Sequence, residues 1–209
     1  MMKLKHLIWL ILLSGSAVSF SGLAQPKDES AALAEIRKHR QEQNDEMRAD
    51  DSPLLKKDKR KFKGLKYFEP NLDYRVDAKF VKTGDPTLFK MKTTTTRLPE
   101  YSVYGVLHFN LLGTAFTLNV YRSPEVNSKP GYEDYLFVPF TDLTNGNETY
   151  DVGRYLEMRI PEGDSVVIDF NLAYNPYCSY NPGYSCPIPP KVNHLPVEIR
   201  AGEKKFKDH

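Results

Sequence analysis

From residue 73 onward, polar and apolar residues alternate with a period of two. Tyr74, Val76, Ala78 and Phe80 interleave with Arg75, Asp77 and Lys79, the pattern of a strand with one buried face. Tyr101, Val103, Gly105, Leu107, Phe109 and Leu111 repeat it, and Gly113 then turns the chain into Phe116, Leu118 and Val120. A two-residue loop at Gly113-Thr114 predicts Leu111 opposite Phe116 and Phe109 opposite Leu118, with both apolar sets on one side. The continuous apolar run over 135–140 is a further strand, and its Pro139 implies an edge or a bulge. Leu156, Met158 and Ile160 alternate next. After a turn over 161–164 come Val166, Ile168, Phe170 and Leu172, and Leu195, Val197 and Ile199 form a last short strand. Seven or more short strands with no βαβ rhythm predict a mainly β fold, an antiparallel β-barrel or sandwich.

The residues before this domain follow another rule. Residues 28–48 are charged and free of Gly and Pro, and Leu33, Ile36 and Met47 fall at helical spacing while Arg40 and Gln43 interrupt the stripe. This predicts an N-terminal helical arm that buries only a thin face, a surface or lever element. Ser52-Pro53 resembles an N-cap with proline at the first helical position, the start of a short second helix. Lys56, Lys57, Lys59, Arg60, Lys61, Lys63 and Lys66 make a basic run. It reads as a solvated helix face, with an acidic surface as the alternative partner. The expected organisation is a charged arm over 25–64 and a β domain over 65–209.

At the N-terminus, Lys3 and Lys5 precede an unbroken apolar run from Leu7 to Leu13, and small residues lead to Gly22-Leu23-Ala24 ahead of Gln25. That order predicts a signal peptide over 1–24, cleaved near Ala24/Gln25, and export to the periplasm or beyond. The run is too short for a stable membrane span, which needs about 20 mainly apolar residues. Cleavage leaves 185 of the 209 residues, enough for one hydrophobic core, and removes the single tryptophan, Trp9. It also takes Lys3 and Lys5 from the 29 basic residues, leaving 27 against 27 acidic ones. A neutral chain has no global field for a polyanion, so no nucleic-acid partner is expected.

One segment is too specialised for plain scaffold. Residues 169–190 read DFNLAYNPYCSYNPGYSCPIPP, with four tyrosines, three asparagines, two cysteines and five prolines among 22 residues. Proline presets the backbone, and long ordered loops on rigid scaffolds are where sites gather. The loop over 171–193 is thus the candidate lid of a site. Tyr174, Tyr177, Tyr180 and Tyr184 supply aromatic faces, and Arg154, Asn171 and Asn175 supply polar groups that would orient a ligand. If the apolar faces of 156–160 and 166–172 pair as a hairpin, Glu157 lies opposite Asp169 on the other face. Opposed carboxylates need relief by an arginine such as Arg154 or Arg159, a cation or a shared proton, which makes them the candidate catalytic pair.

Cys178 and Cys186 are the only cysteines. In an oxidising compartment they read as a disulfide, with a metal site completed by His194 and a reactive thiolate as alternatives. No G-x-S-x-G, H-E-x-x-H or phosphate loop occurs, and no cofactor is expected.

The stretch from GRYLE (153–157) through DFNLAYNPYCSYN and YSCPIPP to LPVEIRAGEK resembles the bacterial domain of unknown function family 1684. SPL, FKGLKYF, YRV and TTT extend the likeness upstream, so that it covers most of residues 36–206; Glu157 stands where the family commonly has Asp. The resemblance implies a bacterial context and no reaction. Three functions follow from the residues: a module binding a small-molecule or carbohydrate-like ligand, or an envelope partner, at the 169–193 loop; a hydrolase using Glu157 and Asp169, with or without a metal; or a structural envelope protein whose arm docks a partner.

Overall fold

The computed structural model describes residues 26–84 and 87–207. The expected signal peptide lies outside the described residues, and among these no helix is long and apolar enough to cross a membrane. Helix α1 (Pro26–Arg48) and the single turn α2 (Lys56–Lys59) precede strands β1 (Arg75–Lys82), β2 (Phe89–Lys90), β3 (Glu100–Leu111) and β4 (Thr114–Arg122). A short helix α3 (Pro124–Asn127) leads to β5 (Tyr135–Asp142), β6 (Arg154–Arg159), β7 (Ser165–Asp169) and β8 (His194–Leu195). The strands form one sheet in the order β6-β5-β4-β3-β1-β7, with β2 on β3 and β8 alongside β5. All pairings are antiparallel except β5 with β8. The sheet curls into a half-barrel, the mainly β fold with an N-terminal helix that the alternation predicts.

The alternating apolar residues do what period two requires. Ala78, Phe80, Leu107, Phe109, Leu118 and Val138 all point to one face and form the main core, closed by Phe170 and Ile199. A smaller cluster of Met91, Tyr101, Tyr121, Phe137 and Tyr155 occupies the other face. The β3–β4 hairpin forms with its turn one residue earlier than expected. Its loop is Leu112-Gly113, so Phe109 faces Phe116 and Leu107 faces Leu118, whereas Leu111 meets Thr114. Leu112 and Gly113 have φ of 50° and 81°, the paired positive values of a type I′ turn, whose twist suits the flanking strands. The one-residue move changes the register by two, so the same faces stay inward.

Two strand expectations are corrected. Pro139 does not mark an edge strand, because β5 lies between β4 and β6. Only Tyr121 and Phe137 pair across β4 and β5, and the gap beside the proline is filled by a side chain. The Asn193 carboxamide accepts from Asn119 N (2.8 Å) and donates to Asn119 O (2.9 Å) and Pro139 O (2.7 Å). It thereby stands in for the missing ladder. Nor do β6 and β7 pair with each other: Glu157 lies opposite Phe137 on β5, and Asp169 lies opposite Arg75 on β1. The chain leaves β6 at one edge of the sheet and crosses to the other, held by Phe80 N bonding Asp164 O at 2.7 Å. This route sets Asp169 against a cation in place of a like charge.

The arm packs against the domain. Ala32, Ile36 and Met47 are buried, Arg40 Nη2 donates to Phe68 O (2.8 Å), and Asn44 Oδ1 accepts from Leu65 N (2.8 Å). Ser52 does not cap α2. Its hydroxyl donates to Met47 O at 2.7 Å, closing the end of α1, and accepts from Leu54 N at 3.2 Å. In the basic run only Lys59 is half-buried, and its ammonium donates to Ala49 O.

Candidate functional site

Because β6 and β7 are the unpaired ends of a curled sheet, a cavity of about 850 Å³ opens between them, with α1 along its side. Its floor is apolar and reaches the core at Leu107, Val138, Leu156, Val166 and Ile168. From α1 come Glu35, His39, Gln43 and Glu46, a stripe at spacings of four, four and three that places all four on one helix face. The proline-rich loop supplies Tyr174, Tyr177, Tyr184 and Cys186. It hangs there because Tyr174 pairs with the free edge of β6: Tyr155 N bonds Tyr174 O at 2.9 Å and Tyr174 N bonds Tyr155 O at 3.1 Å. The edge strand is thereby covered, and the loop is aimed at the cavity.

Glu157 is the polar centre of the wall. Its Oε1 accepts from the hydroxyl of Tyr135 (2.9 Å) and from that of Tyr174. Burial, reinforced by the Glu157 charge, pushes the Tyr135 hydroxyl far above its ordinary pKa. Burial does the same to Tyr174, so both remain donors. The carboxylate is exposed, and Oε2 takes no hydrogen bond among the described residues. Tyr177, 40 % exposed, bonds Glu46 across the cavity and sets its ring edge-on to Tyr184, with centroids 5.2 Å apart.

Asp169 also lines the cavity, but both its oxygens are engaged. Oδ1 accepts from Asn171 N (2.8 Å) and Nδ2 (2.7 Å), and Oδ2 takes Arg75 Nη1 at 3.1 Å. Arg75 is shared with Glu35 at 3.2 Å, which ties α1 to the end of β7. Relief of this carboxylate therefore comes from Arg75, not Arg154 or Arg159. His39 lines the opposite side. Burial lowers its pKa, opposed by its bond to the Leu172 backbone and by Glu157, and its Nε2 is buried with no partner.

Four expected site residues stand elsewhere. Arg154 is fully buried against Asp142 and the carbonyls of Ile199 and Ala201. The Asn171 carboxamide accepts from Asn71 N (2.9 Å) and donates to Asn71 O (2.8 Å), a backbone mimic like Asn193. Asn175 donates to Lys204 O at 2.9 Å, and Tyr180 donates to both oxygens of buried Glu203. Asn175 and Tyr180 hold the loop to the C-terminal segment, and none of the four lines the cavity. Unforeseen on the wall are Glu35, His39, Glu46 and Arg75. The helical spacing of Glu35, His39 and Glu46 was visible in the sequence, but nothing there told which side of α1 meets the sheet.

Cys178 and Cys186 are buried thiols, with Cys178 N donating to Cys186 Sγ at 3.1 Å. The Cys186 thiol hydrogen bond lowers the Cys178 pKa, while the same contact and burial raise that of Cys186. His194 is not its neighbour: Nδ1 meets Thr141 Oγ1 at 3.0 Å beside a second hollow with His108 and Val192. Among the described residues, no three His, Cys, Asp or Glu side chains gather as a metal site, and Cys178, Cys186 and His194 do not meet.

No curated protein matches the chain. The solution NMR structure of an uncharacterized protein from gene locus rrnAC0354 of Haloarcula marismortui is similar to it. The two are 33 % identical with a TM-score of 0.70, over 88 % of this chain and 100 % of that one. This relative is from a haloarchaeon, so the likeness is not confined to bacteria. The family model described as "Protein of unknown function (DUF1684)" matches residues 60–204, a span that holds the whole sheet, the tyrosine loop and Glu157, and the chain belongs to that family.

Proposed function

We propose that this chain is an exported binding module for a small organic molecule, held in the cavity between β6 and β7. One observation carries the reading: the loop tyrosines 174, 177 and 184 and the edge-strand carboxylate of Glu157 meet on the wall of a single cavity of about 850 Å³ with an apolar floor. Ligand pockets of roughly 300–1,000 Å³ have this make-up, mostly apolar with a few placed polar groups. The hydrolytic alternative would need Glu157 and Asp169 to work as a pair. Asp169 is fully occupied by Arg75 and Asn171, which favours binding over turnover. Export rests on the order of charged, apolar and small residues over 1–24.

A fragment screen followed by amide NMR shifts tests the site. Hits are expected to move Tyr174, Tyr177 and Tyr184, and Tyr177→Ala should weaken them about tenfold while changing stability by less than about 1 kcal/mol, its ring being partly exposed. Shifts gathered instead at the His108–Val192 hollow would move the site and end this reading.

In an oxidising compartment we propose that Cys178 and Cys186 become cross-linked. One of the two attacks an external disulfide as its thiolate, and the other then displaces the second thiol, so that two protein thiols are oxidised as one disulfide is reduced. Closing so short a loop contributes roughly 2–3 kcal/mol in the entropy model. Protein recovered from the periplasm and denatured without reductant should titrate no free thiol, against two after reduction. Two thiols before reduction would remove the cross-link.

A further inference from the structure

We propose that the ligand is an organic cation, an ammonium or amidinium head on an apolar body; this rests on the small-molecule reading above. The charge of the wall has one sign. Glu35, Glu46, Glu157 and Asp169 line the cavity against a single guanidinium, that of Arg75, and no lysine is among the lining residues. Arg75 Nη1 bridges Glu35 (3.2 Å) and Asp169 (3.1 Å), so that the one guanidinium is set between two of the four carboxylates. Burial lowers the His39 pKa and so favours the neutral ring, which adds no positive charge. A concave site with low-dielectric walls focuses such a field and raises the local concentration of counter-ions, here cations.

The walls suit the rest of such a molecule. Glu157 Oε1 is taken by two tyrosine hydroxyls, and Oε2 is open to an N–H donor. Tyr177 and Tyr184 present an edge-on pair of rings at the mouth, and tyrosine faces attract cations through the ring quadrupole. The apolar floor takes the body. A carboxylate or phosphate ligand would meet four carboxylates against one guanidinium that already bridges two of them.

Two shape-matched probe series, phenethyl and n-hexyl, each as ammonium, alcohol and carboxylate, decide the matter when titrated against the full chain by amide NMR. The ammonium forms are expected to saturate, moving Glu157, Tyr174 and Tyr177, and to weaken as salt is raised. Glu157→Gln keeps an oxygen acceptor for both tyrosines and should weaken them about tenfold; Glu46→Gln is the second variant should the first not fold. Alcohols or carboxylates binding the cavity as tightly as the ammoniums, or ammonium binding indifferent to these variants, would overturn the cation inference and leave the binding site standing. Failure of all six probes to move any cavity residue would overturn both.

Discussion

Arg154→Met should lower the folding free energy by about 3–5 kcal/mol, the range for removing one partner of a buried ion pair. Arg154 and Asp142 are both without solvent exposure at their side chains. The guanidinium donates Nη2 to Asp142 Oδ2 (2.8 Å) and to Ile199 O (2.8 Å), and Nη1 to Ala201 O and Glu203 O. Asp142 in turn holds Thr144 N at 2.8 Å and Ile199 N at 3.2 Å through Oδ1. One planar group thus fastens the 199–203 segment to β5 and β6. Methionine fills similar volume but leaves a buried carboxylate and several carbonyls unpaired. Arg154→Lys should recover little, since an ammonium is a point donor and cannot span a carboxylate and carbonyls in one plane. Denaturant midpoints at constant slope measure the loss, and a loss below about 1 kcal/mol would show that water replaces the guanidinium and that this pair is not a scaffold element.

That a residue expected to orient a ligand proves to be a core anchor shows where sequence reasoning stops. Alternation is local, and so the strands around Val76, Leu107 and Leu118 and their inward faces were legible from period two. Partner choice is not local. Neighbouring strands were expected to pair, yet β6 and β7 close opposite edges, because Asp169 finds Arg75 and the barrel leaves a cavity between them. The proline-stiffened loop stood out, and three of its tyrosines reach the cavity wall. Its asparagines were ambiguous by nature. A carboxamide offers the same donor and acceptor as a peptide group, so Asn171 and Asn193 can complete backbone ladders as readily as bind a ligand. The α1 stripe of Glu35, His39 and Glu46 carried its helical spacing openly, but its role depends on the docking of α1 beside the sheet, which no spacing encodes.

The second large effect concerns pH. Glu203 is fully buried beneath the loop, where it accepts Tyr180 Oη at 2.6 and 2.8 Å and Asn175 N at 2.9 Å. Burial raises its pKa from 4.5 to about 7, against the opposing pull of the Asn175 and Tyr180 hydrogen bonds and of Arg154. The folded state therefore holds this proton more tightly than the unfolded chain. Its contribution is fully present below the unfolded value of 4.5 and is lost as pH rises through about 7. At 1.36 kcal/mol per unit the loss is on the order of 3 kcal/mol. Glu203→Gln imitates the protonated acid, since its amide can donate to the Tyr180 oxygen and its carbonyl can accept from Asn175 N. The variant should match the parent near about pH 4 and exceed it by about 3 kcal/mol near about pH 8. His39 contributes with the opposite sign: burial lowers its pKa, so its share is present above 6.5 and lost as pH falls, but it is common to both proteins and cancels in their difference. Stability curves for parent and variant that run parallel across this window would mean that Glu203 folds with an ordinary carboxylate, and that its desolvation is fully offset by the hydroxyl and amide that hold it.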